Sequence, residues 1–158
     1  MLFVYGTLQD PDILAAVLGR RLDPSAFKTA RAPDFGVLYY PHRVYPALVV
    51  APGRFAIGMI VDGLDDLDMA VLDAFEGDEY RRSAIGVVIE GRAVNAEAYL
   101  PVIDIDADGP AWSLQDWTTR HKSAVVGTET ATATGLRDRL SAQPRRPMPH
   151  VRVSPGAK

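Results

Sequence analysis

The carboxylate of Glu76 is the side chain whose setting most directly suggests chemistry. It stands at the end of a predicted helix, between Phe75 and Gly77. Burial against the aromatic ring would disfavour the charged form and raise the pKa of Glu76, and the negative end of its own helix would act in the same direction. A carboxyl group whose pKa lies near the working pH can serve as a general acid or base. The alternative interpretation is a solvated charge at a helix end.

The elements that must position Glu76 are predicted from hydrophobic periodicity. Residues 64–75 carry an apolar stripe at helical spacing, and Gly77 follows as a helix-ending residue. At the N-terminus, residues 2–5 form a short apolar run that predicts a buried strand. Gly6 ends this strand in a turn. A strand, a tight turn and a helix end are therefore the local structures on which any site around Glu76 would depend.

Strands outnumber helices in the rest of the chain. A short helix is predicted between Asp10, its N-cap, and Gly19. Gly58, inside a predicted strand, indicates a bulge or the close approach of another backbone. Ser113 is predicted to cap a helix that contains Trp117. The strands themselves are predicted from β-branched and aromatic residues between turn signals, over residues 28–32, 35–40, 45–50, 55–61, 85–89 and 93–100.

This element order predicts the fold class α+β. We expect a small mixed, mostly antiparallel β-barrel with a few flanking α-helices, because strict alternation of strand and helix is missing. Beyond residue 123 the signal weakens, with a threonine-rich stretch and a short predicted helix over residues 135–143. Residues 144–158 hold four prolines and several basic residues, a composition typical of a mobile tail.

Composition excludes several classes of function. The 158 residues suit one domain, and a net charge of −3 with a pI near 5.5 predicts no nucleic-acid partner and no membrane surface. Cysteine is absent, which excludes disulfides, thiolate metal sites and a cysteine nucleophile. No apolar run is as long as a membrane span, and no basic leader is visible. We therefore expect a cytoplasmic protein.

No metal site is predicted. His42, His121 and His150 are widely spaced and form no HxH or HExxH pattern. The alternating aspartates that begin at Asp104 are similar to a calcium loop, but Gln115 stands where an EF-hand loop carries its bidentate glutamate. We interpret this segment as an acidic loop. The serines and threonines lie in no GxSxG motif, which argues against a serine hydrolase.

Three segments together carry a family resemblance. They are Phe3-Val4-Tyr5-Gly6-Thr7-Leu8, then Tyr45-Pro46-Ala47-Leu48-Val49, then Leu72-Asp73-Ala74-Phe75-Glu76-Gly77 followed by Tyr80 and Arg82. In this order and at these separations, the chain resembles the γ-glutamylcyclotransferase-like family, also called AIG2-like, over roughly residues 2–120. The resemblance predicts a γ-glutamylcyclotransferase-like domain over residues 1–122. Residues 123–158 would then form a C-terminal extension that is partly flexible.

The resemblance implies an enzyme that cyclises a small-molecule γ-glutamyl amide. The α-amine of the substrate attacks its own γ-carbonyl and releases 5-oxoproline and a free amine or amino acid. Glu76 would be the catalytic acid/base, and the turn Tyr5-Gly6-Thr7-Leu8 the substrate-binding loop. Backbone N–H groups in such a turn suit an oxyanion or a carboxylate, because Gly6 has no side chain in the way. No metal and no organic cofactor would be required.

Three further residues are weaker candidates for substrate binding. Tyr80 and Arg82 point to the same face if the chain is extended after Gly77, and Arg82 suits a carboxylate of the substrate or of the protein. Tyr99, on a later predicted strand, could line the pocket. The alternative interpretations are a structural ion pair for Arg82 and aromatic residues at the edge of the core for both tyrosines.

Other functions stay open at this level. The same site could act on γ-glutamyl-amine or isopeptide adducts, or on a γ-glutamylated biosynthetic intermediate. A second class of function is a non-catalytic binding module that holds a small carboxylate ligand in the same pocket. The identity of the leaving amine and the oligomeric state cannot be predicted from the residues.

Overall fold

The structure, a computed structural model, describes residues 1–142, so the predicted tail over residues 144–158 lies outside the described part. Five strands and four α-helices alternate irregularly along the chain. They are β1 (Leu2–Val4), α1 (Pro11–Leu18), β2 (Phe27–Tyr39), β3 (Pro46–Val61), α2 (Asp66–Glu76), β4 (Tyr80–Ile89), β5 (Arg92–Pro101), α3 (Leu114–Arg120) and α4 (Lys122–Ser141). The predicted α+β class is confirmed.

The strands form one closed sheet in the order β1, β3, β2, β4, β5. All neighbours pair antiparallel except β1 and β5, which pair in parallel where Leu2 faces Glu97. A tight turn joins β4 to β5, and Glu90 and Gly91 both have positive φ there, as a two-residue hairpin turn of the primed type requires. The prediction of a mixed, mostly antiparallel sheet is therefore confirmed.

Strand β1 separates the two main parts of the core. Its alternate side chains point to opposite faces, as in any strand. Phe3 belongs to a cluster inside the sheet that is otherwise rich in alanine, and Tyr5, just past the strand end, joins it. Leu2 and Val4 belong instead to the cluster between the sheet and the helices. Three residues thus connect the barrel interior to the helical layer.

Gly58 allows β1 to lie this close to β3. A Cβ atom at this position would lie 2.3 Å from the carbonyl oxygen of Val4 and 2.8 Å from the ring of Phe3. Two explanations of Gly58 were open at the sequence level, a bulge or the close approach of another backbone. The structure shows the close approach. Any larger residue would force β1 away from its partner strand.

Two pairs of predicted strands are each one longer strand. The predicted strands over residues 28–32 and 35–40 belong to β2, which ends one residue earlier, at Tyr39. Those over residues 45–50 and 55–61 belong to β3, which begins one residue later, at Pro46. The prolines between them mark a register shift between Pro33 and Phe35, not a break in pairing. Asp34 has a φ of 61° there, and its carboxylate accepts a hydrogen bond of 2.8 Å from the backbone N–H of Gly53. A bulge of this kind absorbs proline without ending the ladder.

Helix α4 is the largest departure from the predicted elements. A short helix was predicted only over residues 135–143, whereas α4 runs without interruption over Lys122–Ser141. Its many threonines and two glycines are poor helix formers. Packing against α1 and α2 stabilises the helix despite this low helix propensity. Within the described part of the chain, none of the helices is both long enough and apolar enough to cross a membrane.

A buried carboxylate fastens α4 to the rest of the molecule. Asp68 has no exposed side-chain surface, and it forms a hydrogen-bonded ion pair with Arg20. Arg137 of α4 approaches its other oxygen at 3.4 Å. Asp68 also completes the capping box of α2 by accepting the backbone N–H of Asp65. One side chain therefore joins the start of α2 to the ends of α1 and α4.

We expect Gly58→Ala to lower the free energy of unfolding by about 3 kcal/mol, because the new methyl group would overlap β1. Gly86→Ala is the matched control. Gly86 lies in β4, and a Cβ atom at this position would meet nothing within 4 Å. The control should stay within about 1 kcal/mol of the unmodified protein. Urea denaturation measures both. Equal losses in the two variants would contradict the close packing at Gly58.

We expect Asp68→Ala to lower the free energy of unfolding by about 3 kcal/mol, because two arginines would lose their buried acceptor. Asp66→Ala removes an exposed acid from the same first turn of α2. That control should cost less than about 1 kcal/mol. The comparison again uses urea denaturation, and a large loss in the control alone would show that helix electrostatics, not the buried ion pair, governs stability here.

Candidate active site

A cavity of about 330 Å³ opens where β1 ends and α2 meets β4. It is lined by the turn after β1, the end of α2, the start of β4, the residues just before β3, and single side chains from α1, α3 and α4. Seven of the eight predicted site residues line it, namely Tyr5, Gly6, Thr7, Leu8, Glu76, Tyr80 and Tyr99. Their roles stay predictions, but the structure brings them to one place.

The turn after β1 is shaped by a contact between Gly6 and Pro46. A Cβ atom at Gly6 would lie 2.5 Å from Cγ of the Pro46 ring, so only glycine fits. Thr7–Gln9 then form one turn of 3-10 helix. The first N–H groups of such a turn have no acceptor within the helix itself. They are available in principle to an anion, and the hydroxyl of Thr7 lies beside the same cavity.

Glu76 is the last residue of α2 and is half-buried at the cavity wall. Gly77 ends the helix with a φ of 66° and a ψ of −158°, a conformation that is essentially restricted to glycine. This backbone turn separates Glu76, on the helix, from Tyr80, at the start of β4. Both side chains can therefore face one cavity.

The charge of Glu76 reaches three tyrosines around the cavity. Burial raises the pKa of Tyr5 well above its ordinary value, and the Glu76 carboxylate raises it further. Burial likewise raises the pKa of Tyr80, with added effects from Tyr5 and Glu76. The pKa of Tyr99 is raised by burial, by its bond to Asp73 and by Glu76. All three phenols are therefore neutral at physiological pH.

The hydroxyl protons of these tyrosines are already committed to acceptors of the protein. Tyr5 donates to the backbone oxygen of Tyr99 at 2.5 Å, and Tyr80 donates to the backbone oxygen of Pro46 at 2.6 Å. Tyr99 donates to the carboxylate of Asp73 at 2.8 Å. The oxygen of Tyr5 also accepts from the backbone N–H of Leu48, whereas the oxygens of Tyr80 and Tyr99 keep acceptor capacity only. The tyrosines can thus accept hydrogen bonds from an amine, but donors for an anion must come from the turn.

Glu79 is a second carboxylate at this cavity, and no pattern in the sequence pointed to it separately. It accepts a hydrogen bond from the hydroxyl of Tyr45 and bonds of 2.8 and 3.1 Å from the guanidinium of Arg43. Tyr45 and Arg43 hold the pKa of Glu79 below its ordinary value, although burial opposes them. Burial and Glu79 in turn raise the pKa of Tyr45 to about 12. Glu79 is an anion committed to structure, unsuited to exchanging protons.

Arg82 does not line the cavity, in contrast to its prediction as a substrate-binding residue. Its guanidinium is bound to Asp73 at 2.8 and 3.0 Å and to Glu97 at 2.6 Å. These carboxylates raise the pKa of Arg82 and occupy its donors. Because Asp73 also accepts the Tyr99 hydroxyl, Arg82 supports the cavity wall from behind. The structural ion pair, the alternative interpretation at the sequence level, describes its position.

Several lining residues were not predicted as part of the site. Tyr45 and Pro46 lie in one of the three quoted segments, so that segment already pointed to them. Phe75 was expected only as the apolar neighbour of Glu76, whereas Trp117 and Val125 were missed because apolar residues at helical spacing indicate only a packed face. None of the described lining residues is a lysine, arginine or histidine. The described residues also contain no group of three or more side chains suited to a metal ion.

Comparison with known proteins agrees with this architecture. AIG2-like protein A of Arabidopsis thaliana is 31% identical over 130 residues, which cover 80% of this chain and 76% of that protein. AIG2-like protein B of the same plant is 27% identical over 128 residues, covering 79% and 73%. A solution structure of an Arabidopsis thaliana protein, 29% identical, superposes with a TM-score of 0.61 over 80% of this chain and 85% of that one.

A second Arabidopsis thaliana solution structure, 22% identical, has the same TM-score of 0.61 over 98% of this chain and 94% of its own, and so supports the fold alone. The family model described as gamma-glutamyl cyclotransferase, AIG2-like matches residues 2–119. That range contains the whole sheet, helices α1 and α2, all of α3 except its last residue, and all of the predicted site residues. The chain belongs to the γ-glutamyl cyclotransferase, AIG2-like family.

Proposed function

We propose that this protein is a γ-glutamylcyclotransferase-type enzyme, which converts a γ-glutamyl amide into 5-oxoproline and a free amine. The observation that carries the proposal is a single small cavity lined both by the Glu76 carboxylate and by the Gly6–Leu8 turn. A proton carrier and a set of backbone donors are the two things that this reaction requires of a protein. The cavity volume of about 330 Å³ suits a small molecule.

The first step forms the ring. Glu76 accepts a proton from the α-amine of the substrate, and the amine nitrogen attacks the γ-carbonyl carbon of the same molecule. Because both reacting groups belong to one substrate, the protein supplies orientation and no nucleophile. The tyrosine oxygens around the cavity can accept hydrogen bonds from the amine and hold it beside Glu76.

The second step releases the amine. Attack places negative charge on the former carbonyl oxygen, and backbone N–H groups of the Gly6–Leu8 turn are suited to stabilise it. Glu76 then returns its proton to the departing nitrogen as the original amide bond breaks. One C–N bond has replaced another and no water is consumed. A carboxylate that accepts and then returns one proton is sufficient for both steps.

The residues that line the cavity also determine how the α-carboxylate of the substrate can be bound. The cavity wall described here offers no basic side chain for an ion pair. The remaining donors for the α-carboxylate are the Thr7 hydroxyl and those backbone N–H groups of the tight turn that the oxyanion does not use. Many of the other lining residues are apolar or aromatic, and surroundings of low polarity strengthen each of these hydrogen bonds.

Replacing Glu76 with glutamine should lower the rate of 5-oxoproline release from a γ-glutamyl amide by at least about 100-fold, since glutamine cannot carry the proton. Asp78→Asn is the matched control. It makes the same change of charge at an exposed position two residues further along. We expect the control to keep its activity. Release of 5-oxoproline from a panel of γ-glutamyl amides is the measurement, with urea denaturation to show that both variants are folded.

Full activity of the Glu76→Gln variant would exclude this mechanism. Absence of turnover in the unmodified protein, together with a rise in melting temperature on adding glutamate-like ligands, would instead favour the non-catalytic binding module. Comparison of different amides in the panel separates amino-acid leaving groups from simple amines.

A further inference from the structure

One end of the cavity is apolar and is built by helices. Ile13 of α1, Phe75 of α2, Trp117 of α3 and Val125 of α4 all line it. They belong, with Leu8, to one packed hydrophobic cluster. Tyr45, Glu79 and Tyr80 form a second, aromatic and acidic part of the same lining. The two parts of the lining therefore favour different parts of a ligand.

Val125 differs from the other three apolar lining residues in its position along the sequence. It lies on α4, beyond residues 2–119, which the family model matches. Lys122, one turn earlier, bonds the carboxylates of Asp10 and Asp12 at 2.7 and 3.1 Å. These bonds tie the start of α4 to the first turn of α1, immediately after the Gly6–Leu8 turn. Val125 is thus held at the cavity by an ion pair.

The other end of α4 is held as well. Arg137 reaches the buried carboxylate of Asp68 at 3.4 Å, and its side chain lies over Gly19, where a Cβ atom would be 2.9 Å away. Ala133, between the two anchors, is completely buried. Ion pairs near both ends of α4 thus hold it against α1 and α2. The side chain at position 125 then sets how far the cavity extends.

Charge decides which part of a substrate can occupy this end. The described lining residues include two carboxylates, Glu76 and Glu79, and no basic side chain. The carboxylate of Glu79 already accepts hydrogen bonds from Arg43 and Tyr45. A leaving group with its own carboxylate would find no cationic partner here, whereas a hydrocarbon arm would be buried against four apolar side chains. Apolar burial is favourable in proportion to the area removed from water.

We infer, resting on the proposed function, that the helical end of the cavity binds the hydrocarbon arm of the leaving amine and that Val125 is a specificity-determining residue. The side chain at position 125 limits the length of that arm. Each methylene group buried there should tighten Kd about three- to four-fold, until the arm meets Val125. Beyond that length, additional methylene groups should bring no gain.

The test uses γ-glutamyl methyl-, butyl- and hexylamide with the full chain. Val125→Phe should shorten the cavity and lower kcat/KM for the hexylamide at least about 10-fold relative to the methylamide. Val125→Ala should shift the optimum to longer arms. Ala124→Phe is the control, because Ala124 is exposed on the neighbouring position of α4, and it should leave the chain-length profile unchanged.

Binding is measured separately from turnover by calorimetry on the Glu76→Gln variant, with and without Val125→Phe. A Kd profile that depends on chain length and changes with position 125 supports the inference, even if no amide is turned over and the proposed function fails. If the amides are turned over but neither Val125 variant changes the dependence on chain length, the inference is overturned and the proposed function stands. Absence of binding to every amide, together with absence of turnover by the unmodified protein, overturns both.

Discussion

The packing of β1 against Gly58 is the constraint on which the rest of the molecule depends. The three residues of β1 pair with β3 on one side, and Leu2 pairs with Glu97 of β5 on the other, so that β1 completes the closed sheet. The same residues divide the barrel interior from the helical layer. The chain then turns directly into Gly6. A side chain at position 58 would therefore disturb the sheet, both parts of the core and the cavity together.

Two separate frameworks hold the cavity. One is the network behind its wall, where Arg82 binds Asp73, which in turn fixes the Tyr99 hydroxyl. The other is the helical layer, whose ion pairs involve Asp10 and Asp68, the two buried acids among the residues that the structure describes. Both acids also cap helices. Charges that stabilise individual helices thus also position the helices around the cavity, so local and global preferences agree.

Much of the fold and of the candidate site could be predicted from local patterns. The caps at Asp10 and Ser113 follow from side chains that bond their own backbone. The hairpin turn at residues 90–91 and the end of α2 follow instead from glycines with positive φ. What could not be predicted depends on distant contacts. The threonine-rich α4 forms because other helices hold it, and the bulge that joins the two halves of β2 depends on Asp34 reaching Gly53. Arg82 was assigned to the cavity because the residues alone do not show that Asp73 and Glu97 flank it.

The contact between Gly6 and Pro46 links two segments that lie forty residues apart. The ring of Pro46 occupies the space that any side chain at position 6 would need, so position 6 is restricted to glycine while Pro46 is in place. A larger residue at position 6 therefore requires a change at position 46 as well, and a library that randomises position 6 alone would leave that contact unrelieved. Anyone who grafts this pocket onto a different barrel would have to transplant the N-terminal turn and the start of β3 as a single unit.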